Sequence, residues 1–263
     1  FYIYYGSSTA SAYPAGATYG SDNVWTNGFR AVYHFEEDQV GTGASAVYRD
    51  STGNGYDGDD EVSASGKSGI VGAGQSFAAS TNDYIELPHT TIDGLRDITV
   101  EVWFRSNDDS NLHTLLSAAN SGEANEHTIW VRGDINNVEL FSHGTSYREE
   151  FWISDVFDNV WRHYTIIKDD LNNDALFFLN GVEDNDSPNG DTVNTIDVDA
   201  GGLLIGQEQD CLGGCFDNGQ ELNGDIDEMR ISDVVRSDGW IRNSYENQSS
   251  PSSFYSIGSV ETE

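Results

Sequence analysis

One loop of the sequence has the residue types of a cation site. Asp50 opens the segment DSTGNGYDG, and Asn54 follows four residues later. Gly53 and Gly55 allow the backbone there to turn its carbonyl oxygens toward one point. Calcium takes about six to eight oxygen ligands, drawn from carboxylates, amides and carbonyls. The loop therefore predicts a calcium site, and the alternative is a hydrogen-bonded turn without a metal.

A second carboxylate is predicted to point inward near the end of the chain. In DIDEMRI, strand alternation places Asp227 on the same side as Met229 and Ile231. If those two residues face the core, a carboxylate beside them needs an ion or hydrogen-bond donors. The aspartates of DGDDE at 57–61 lack the spacing of an EF-hand and are interpreted as solvated.

Aromatic and charged residues alternate with apolar ones in three further segments, ITVEVWFR, HTIWVR and NVELFS. Sugars are bound by aromatic rings together with a few orienting polar side chains. The pattern predicts one outer sheet face that binds carbohydrate. Its candidate residues are Arg105, Trp130, Arg132, Phe141 and His143, with Trp152 on a rim loop that also holds Tyr147 and Phe151.

The alternative for this face is a structural role. Loops would then cover it, and Trp103 and His163 would belong to a second core rather than to a binding surface. A binding face would leave these aromatic rings exposed, whereas a second core would bury them.

The two cysteines favour a disulfide. Cys211 and Cys215 are separated by three residues that include Gly213 and Gly214, and no histidine lies nearby to complete a zinc site. A redox pair would normally read CxxC. The spacing fits a small disulfide-closed loop and hence an extracytoplasmic location, either secreted, at the cell surface or periplasmic. Free thiols are the alternative.

The charge of the chain excludes several partners. Twelve Lys and Arg stand against 45 Asp and Glu, which gives a net charge of −33. Such a surface repels phosphate backbones, so the sequence predicts no nucleic-acid binding. Its apolar runs are far shorter than the roughly 20 residues of a spanning helix, so no direct membrane insertion is expected of this fragment. The acidity is interpreted as adaptation to a saline habitat, as in a marine bacterium.

The remaining pattern is almost entirely that of β-structure. Short alternating or apolar runs, separated by Gly, Asn and Asp, predict a sandwich or barrel of antiparallel sheets. One helix is predicted after Ser237, which can cap it, with Trp240, Ile241 and Tyr245 on its apolar side. The strands are predicted near 30–36, 75–78, 83–87, 98–105, 126–132, 137–142, 161–168, 174–179, 202–206 and 225–231.

Three segments are distinguished along the chain. Residues 1–28 read as the tail of a preceding domain and a Gly-rich linker, 29–250 as the β-domain, and 251–263 as an exit segment. The first residue is Phe1, so we expect the chain to be part of a larger multidomain protein.

The order of several short motifs resembles a known family. HFEED, YRDSTGNGYDG, SFAASTNDYIEL, ITVEVWF, VWRHYTIIKD, LFFLNGVED, LLIG and LNGDIDEMRIS follow one another as in the laminin-G-like, concanavalin A-like jelly-roll domains of bacterial secreted proteins. The opening FYIYYGSSTA resembles the last strand of a domain of unknown function that often precedes such a jelly roll. The resemblance implies an all-β fold, a two-sheet antiparallel jelly-roll sandwich, with one short C-terminal helix.

The resemblance also bears on the candidate sites. In such jelly rolls the first strand, the DSTGNGYDG loop and the last strand meet at one edge, which implies a structural Ca²⁺ held by Glu36, Asp50, Asn54, Asp225 and Asp227. Related glycoside hydrolases carry two glutamates in an E-x-D-x-E pattern on one strand. Here Met229 stands where the second acid would fall, which argues against catalysis of that type.

The function expected from these features is a non-catalytic carbohydrate-binding or adhesion module of a secreted or surface bacterial protein, with a polysaccharide or cell-surface glycan as its partner. The first alternative is a structural ectodomain of a membrane complex that contains a proton channel and binds no glycan. The second alternative is a glycoside hydrolase.

Overall fold

The computed structural model describes most of the chain, and 147–152 by backbone alone. The described residues are 14, 16–18, 20, 23–40, 43–124, 126–142, 147–152, 156–184 and 193–254. They contain fifteen strands and two helices. The strands are β1 (Phe29–Tyr33), β2 (Ala44–Tyr48), β3 (Gly58–Glu61), β4 (Gln75–Phe77), β5 (Tyr84–Glu86), β6 (Ile98–Arg105), β7 (Thr114–Ala118), β8 (His127–Arg132), β9 (Asn137–Ser142), β10 (Tyr147–Trp152), β11 (Arg162–Asp169), β12 (Asp174–Leu179), β13 (Val182–Glu183), β14 (Leu203–Ile205) and β15 (Gly224–Ser232), and the helices are α1 (Asp238–Ser249) and α2 (Pro251–Phe254).

The strands form two antiparallel sheets that pack as a jelly-roll sandwich, as the resemblance implied. Sheet I has the order β1-β15-β6-β11-β12-β13, with β4 also paired to β15. Sheet II has the order β10-β9-β8-β7-β14-β5-β3-β2. Several pairings join segments far apart in sequence, namely β1-β15, β15-β6, β6-β11, β7-β14 and β14-β5. The register of these pairs is decided by packing between distant segments.

The core lies between the two sheets and follows strand alternation. Val100 and Val102 of β6 face Ile129 and Val131 of β8 as parts of one buried apolar cluster. Each of the ten predicted strands is present with boundaries shifted by at most three residues. The spacing of two between inward residues explains this success, because it depends only on the local pleat.

Five strands were not predicted from the sequence: β2, β3, β7, β10 and β13. The strand β3 contradicts the expectation that the aspartates of DGDDE at 57–61 are all solvated. Asp60 is fully buried and accepts hydrogen bonds from the backbone N–H groups of Val40 and Val62. The segment of Tyr147 and Trp152, predicted as a rim loop, is likewise a strand that pairs with β9.

The C-terminal helix covers the outer side of sheet I. Ser237 caps α1 by accepting a hydrogen bond from the N–H of Trp240, as predicted. Ile241 packs on Ile167 and Phe178 of the sheet below. The helix thus creates a second, smaller core on the far side of sheet I. In the described residues, no helix is long and apolar enough to cross a membrane.

A bulge in β15 changes which side chains face the core. The register between β15 and β6 shifts between Asp227 and Arg230, and Glu228 adopts a φ of 51°. Ile226, Met229 and Ile231 are therefore the inward residues of this strand. The prediction that Asp227 faces the core beside Met229 is wrong, because the extra residue of the bulge reverses the alternation.

Candidate functional site

The outer patch of sheet II lies on β8 and β9, on the side away from the core. Because Ile129, Val131, Val138 and Leu140 belong to the core cluster, the residues between them point outward. We define the outer patch by its members Trp130, Arg132, Asn137, Glu139 and Phe141. Trp130, Arg132 and Phe141 were predicted as binding residues and Glu139 as an outward residue of the same face, whereas Asn137 was not predicted.

The aromatic pair of the outer patch is only partly accessible. Trp130 and Phe141 contact each other edge to face, with ring centroids 6.2 Å apart. Phe141 is half-buried, whereas Trp130 is 7% exposed. The prediction of Trp130 as an open stacking platform is therefore wrong, because other parts of the fold cover most of its ring. Phe141 is the ring of this pair that solvent and ligands can reach.

The patch also contains buried polar atoms whose hydrogen-bonding capacity is not used. The Nε1–H group of Trp130 is buried and has no hydrogen-bond partner among the residues described. The same holds for both amide atoms of Asn137, which is fully buried. Such groups are rare in folded proteins, and leaving one unsatisfied costs about 1–3 kcal/mol. Because these atoms are buried, the accessible part of the patch is formed by Phe141 and Arg132.

Arg132 is held in place by two carboxylates. Its Nη1 lies 2.7 Å from Oε2 of Glu139, and its Nη2 and Nε donate to both oxygens of Asp134. These hydrogen bonds from Arg132 lower the pKa of the Asp134 carboxyl. The guanidinium is thus fixed at the end of the patch, where it can orient a polar ligand rather than neutralise an anionic one.

Arg105 does not belong to this patch. It lies on β6 of sheet I, on the outer side, where its Nη2 is 2.7 Å from Oδ2 of Asp225 and its guanidinium stacks over Trp161. The prediction of one face that unites Arg105 with Trp130 is corrected, because alternation gives the side of a strand but not the sheet to which it belongs. His143 lies outside the described residues, and so does the side chain of Trp152.

The residues taken as second-core candidates have that role. Trp103 donates from Nε1 to Oε1 of Gln248 at 2.9 Å and stacks on Tyr245 of α1. His163 is fully buried beside Trp103, with ring centroids 5.2 Å apart. Both rings lie between sheet I and α1, so they are not available to a ligand.

The segment 206–222, called the clasp below, lies over the outer side of β5, β7 and β14 next to the outer patch. Gln209 anchors it by donating to the backbone and hydroxyl of Ser117 and to the carbonyl of Gly202. Phe216 packs edge to face on Tyr84 of β5. The clasp thus covers strands of sheet II, of which β7 adjoins β8 of the outer patch.

The predicted disulfide closes a turn within the clasp. Cys211 and Cys215 are bonded, with their Cα atoms 5.4 Å apart. Gly213 between them adopts a φ of 67°. Its backbone N–H donates a hydrogen bond to Oε1 of Gln209. The sequence identified the bond correctly, but not the surface that the closed turn covers.

The clasp brings carboxylates to the same side of the sheet. Glu208 is 1% exposed, and its Oε2 has no hydrogen-bond partner in the described structure. Burial, with the nearby charges of Asp210 and Asp217, raises the pKa of Glu208 to about 7. Glu208 is therefore only partly charged at neutral pH, and the clasp is acidic through Asp210 and Asp217, which disfavours anionic ligands near it.

The DSTGNGYDG loop is explained by hydrogen bonds. The carboxylate of Asp50 accepts from the backbone N–H groups of Val32, Thr52 and Tyr56 and from the Thr52 hydroxyl. Asn54 donates its amide to the carbonyls of β1 at Phe29 and Arg30. This is the alternative considered for the loop, a hydrogen-bonded turn that ties it to the first strand.

The other predicted calcium ligands also have separate environments. Asp225 pairs with Arg105, and the carboxylate of Asp227 accepts from the N–H groups of Ile70 and Val71. Glu36 is exposed beside Gly72. In the described part of the chain, no three His, Cys, Asp or Glu side chains form a group that could hold a metal. The five residues therefore do not fit a common calcium site.

Comparison with known proteins places this sandwich in a family. Residues 79–242 match the family model described as the concanavalin A-like lectin/glucanases superfamily, which is more than half of the chain. The chain belongs to this superfamily. Its matched segment runs from the turn before β5 into α1, so it includes the outer patch and the clasp.

Individual relatives cover only part of this superfamily member. Neuronal pentraxin-2 of Cavia porcellus is 30% identical over 148 residues, which is 55% of this chain and 33% of the relative. The chain spans at most a third of the length of the curated relatives it matches. Their whole-protein activities therefore do not transfer as findings.

Two solved structures show the same fold. Domain 4 of AbnA, a GH43 extracellular arabinanase from Geobacillus stearothermophilus in complex with arabinotriose, is 21% identical with a TM-score of 0.56, and the match covers 82% of this chain and 97% of that one. The binding domain of Paraclostridial Mosquitocidal Protein 1 is 16% identical with a TM-score of 0.60, over 84% and 52% of the two chains. At these identities the likeness concerns the fold.

Proposed function

We propose that this chain is a non-catalytic carbohydrate-binding or adhesion module of a secreted or surface bacterial protein, and that the outer patch of sheet II is where it binds a glycan. The observation that carries the proposal is the accessible ring of Phe141, which packs edge to face on Trp130 and shares the outer face with the fixed guanidinium of Arg132. A sugar ring can pack on an exposed aromatic ring while a neighbouring polar side chain orients its hydroxyls.

The fixed guanidinium adds direction to this arrangement. The charge of Arg132 is already paired with those of Glu139 and Asp134. Its guanidinium can therefore orient a ligand that carries no negative charge. The disulfide and the family support a location outside the cytoplasm. A module of a larger secreted or surface protein is consistent with a chain that spans a small part of its relatives.

The charge of the molecule limits the class of glycan. With a net charge of −33 and the acidic clasp beside the patch, uronic or sulfated polymers are repelled at low ionic strength. We therefore propose a neutral polysaccharide, such as a plant or algal glycan without acid groups, as the ligand class.

Calcium, which the resemblance implies, has no role in this proposal. Asp50 and Asp225 satisfy their carboxylates through hydrogen bonds and an ion pair, and the proposed patch lies on the other sheet from Asp225. Glycan binding is accordingly expected to be the same in calcium and in EGTA.

The decisive variant is Phe141→Ala, because Phe141 provides the accessible ring. Loss of stacking on a large apolar side chain should weaken binding to a neutral glycan by about 1–3 kcal/mol, which is roughly 5- to 150-fold in Kd. A glycan array on the wild type selects the probe, and calorimetry compares the variants. The matched control is Trp240→Ala, which removes a 39% exposed ring on α1 at the opposite sheet.

Three outcomes would contradict this function. Equal losses for Phe141→Ala and Trp240→Ala would place binding elsewhere. No binding across neutral and acidic glycans would favour the alternative of a structural ectodomain. Turnover of a bound polysaccharide would favour a hydrolase.

A further inference from the structure

The chain contains only two lysines, and both use their ammonium groups to hold backbone carbonyls. Lys168 is fully buried at the end of β11 and donates to the carbonyls of Arg96 and Asn194. Lys67 lies in the connection between β3 and β4 and does the same at another edge of the sandwich. The other ten Lys and Arg side chains of the protein are arginines. The two lysines thus have the same structural role, which is to bind backbone carbonyl oxygens.

Lys67 is surrounded by three uncharged oxygens from distant parts of the chain. Its Nζ lies 2.5 Å from the carbonyl oxygen of Phe35, 2.6 Å from that of Glu37 and 3.0 Å from Oε1 of Gln75. Phe35 adopts a φ of 55°, a left-handed conformation that is unfavourable for a bulky residue. Gln75 is fully buried. The contact therefore joins the chain after β1 to β4.

Two buried carboxylate oxygens near this ammonium have no hydrogen-bond partner among the described residues. They are Oε2 of Glu37 and Oδ1 of Asp227. Both carboxylates act electrostatically on Lys67, together with those of Asp38 and Asp60. Asp227 is fully buried, so its unpaired oxygen lacks solvent as well. The surroundings of Lys67 thus combine carbonyl, amide and carboxylate oxygens.

This donor set is typical of a hard cation. Calcium binds a mixture of carboxylate, amide and backbone carbonyl oxygens, and an ammonium group is a compact point charge with three donors. A lysine can supply the positive charge at the centre of such a set, whereas the wide planar guanidinium of arginine cannot occupy the same position.

We propose that the ammonium group of Lys67 is a resident cation in an oxygen cage formed by the carbonyls of Phe35 and Glu37 and by Oε1 of Gln75, with the carboxylates of Glu37 and Asp227 around it, and that removal of the side chain opens this cage to a divalent metal. The native chain then needs no metal at this edge, because its own side chain supplies the charge. The site shares Asp227 with the predicted ligand set and differs from it in using two backbone carbonyls and Gln75.

The test compares Lys67→Ala with the wild type in EGTA, in millimolar calcium and in millimolar magnesium at one fixed ionic strength. We expect the wild type to melt at the same temperature in all three solutions. Lys67→Ala should melt at a lower temperature in EGTA and regain several degrees in calcium, because binding to the native state alone stabilises it. Calorimetry should then find one calcium per chain for the variant and none for the wild type.

Two control variants separate the cage from general screening of charge. Arg49→Ala removes one exposed positive charge near the same acidic segment, where Arg49 pairs with Asp57 at 2.8 Å, and it should show no calcium-specific gain. Lys67→Met removes the charge but fills the space, so it should be destabilised without rescue by calcium.

Several results would overturn the proposal. One is a calcium gain for Lys67→Ala no larger than that for Arg49→Ala, and another is a wild type whose melting temperature falls in EGTA. If Lys67→Ala is recovered unfolded, its refolding from urea is followed by near-UV circular dichroism. Recovery only in calcium supports the cage, and failure in both solutions contradicts it.

Discussion

His163 shows how a single residue can resemble a ligand-binding residue while serving the core. It shares the outer side of sheet I with Trp103, and both lie under α1. Its ring nitrogens are buried without hydrogen-bond partners in the described structure. Burial, with the nearby charge of Arg230, lowers the pKa of His163 to about 3. The residue is therefore neutral in the folded state at ordinary pH.

This neutrality predicts a defined pH dependence. As pH falls through about 6.5, the unfolded chain gains a proton on His163 that the folded chain does not accept, so the free energy of unfolding decreases by about 1.4 kcal/mol per pH unit. His163→Phe removes this contribution. Its free energy of unfolding relative to the wild type should rise by about that amount between pH 6 and pH 5, measured by urea titration.

The control for packing is Trp103→Phe, which alters the same layer without a titrating group. Its difference from the wild type should be constant across this pH range. A His163→Phe difference that is equally constant would show that His163 is protonated in the folded state.

Among the elements, the clasp departs most from what local sequence indicates. Its polar composition suggests a solvated loop, yet Gln207, Glu208 and Gln209 are buried against sheet II. Gln209 holds the clasp through side-chain hydrogen bonds to Ser117 and Gly213, and the disulfide closes only the turn beyond it. The anchor should therefore contribute at least as much stability as the disulfide.

Two variants compare these contributions. Replacing both Cys211 and Cys215 by Ser should cost about 2 kcal/mol, because a ring this small constrains the unfolded chain only modestly. Gln209→Ala should cost about 2–4 kcal/mol, because it leaves several buried polar groups without partners. Urea titration of both variants measures the difference. Leu212→Ala, an exposed position in the same turn, is the control and should be nearly neutral.

If the double cysteine variant loses more free energy of unfolding than Gln209→Ala, the disulfide rather than Gln209 is the main anchor of the clasp. Glycan affinity provides a second measurement. Because the clasp lies next to the outer patch, variants that loosen the clasp should bind the glycan more weakly.

At the scale of the whole molecule, electrostatic repulsion is the dominant general feature. A net charge of −33 on 263 residues destabilises the compact state through self-repulsion. Several carboxylates, including Asp60 and Asp83, are buried and used as hydrogen-bond acceptors within the fold. Some of the carboxylates thus contribute hydrogen bonds inside the fold, whereas most of them lie at the surface.

Salt should relieve this repulsion. Because the Debye length is about 30 Å at 0.01 M and about 3 Å at 1 M, the melting temperature of the wild type should rise from low to molar NaCl. Differential scanning calorimetry measures the rise. A flat or falling curve in NaCl would contradict the interpretation of a saline habitat.

Features that depend only on neighbours along the chain could be predicted before the structure was known. Inward and outward residues of β6, β8 and β9 follow from the pleat, which repeats every two residues. The cap of α1 at Ser237 requires only the N–H of Trp240, and the bond between Cys211 and Cys215 closes a short ring. The order of short motifs was enough to predict the jelly-roll sandwich.

The tertiary structure decided which distant segments meet. It placed Arg105 and Trp130 on different sheets, because alternation carries no information about strand pairing. It moved Asp227 to the outer side through the bulge at Glu228, since one extra residue reverses the pattern. It gave Asp50 backbone donors as partners and brought Lys67 to the carbonyls beyond β1. Each of these outcomes depends on contacts between residues far apart in sequence, which local periodicity does not encode.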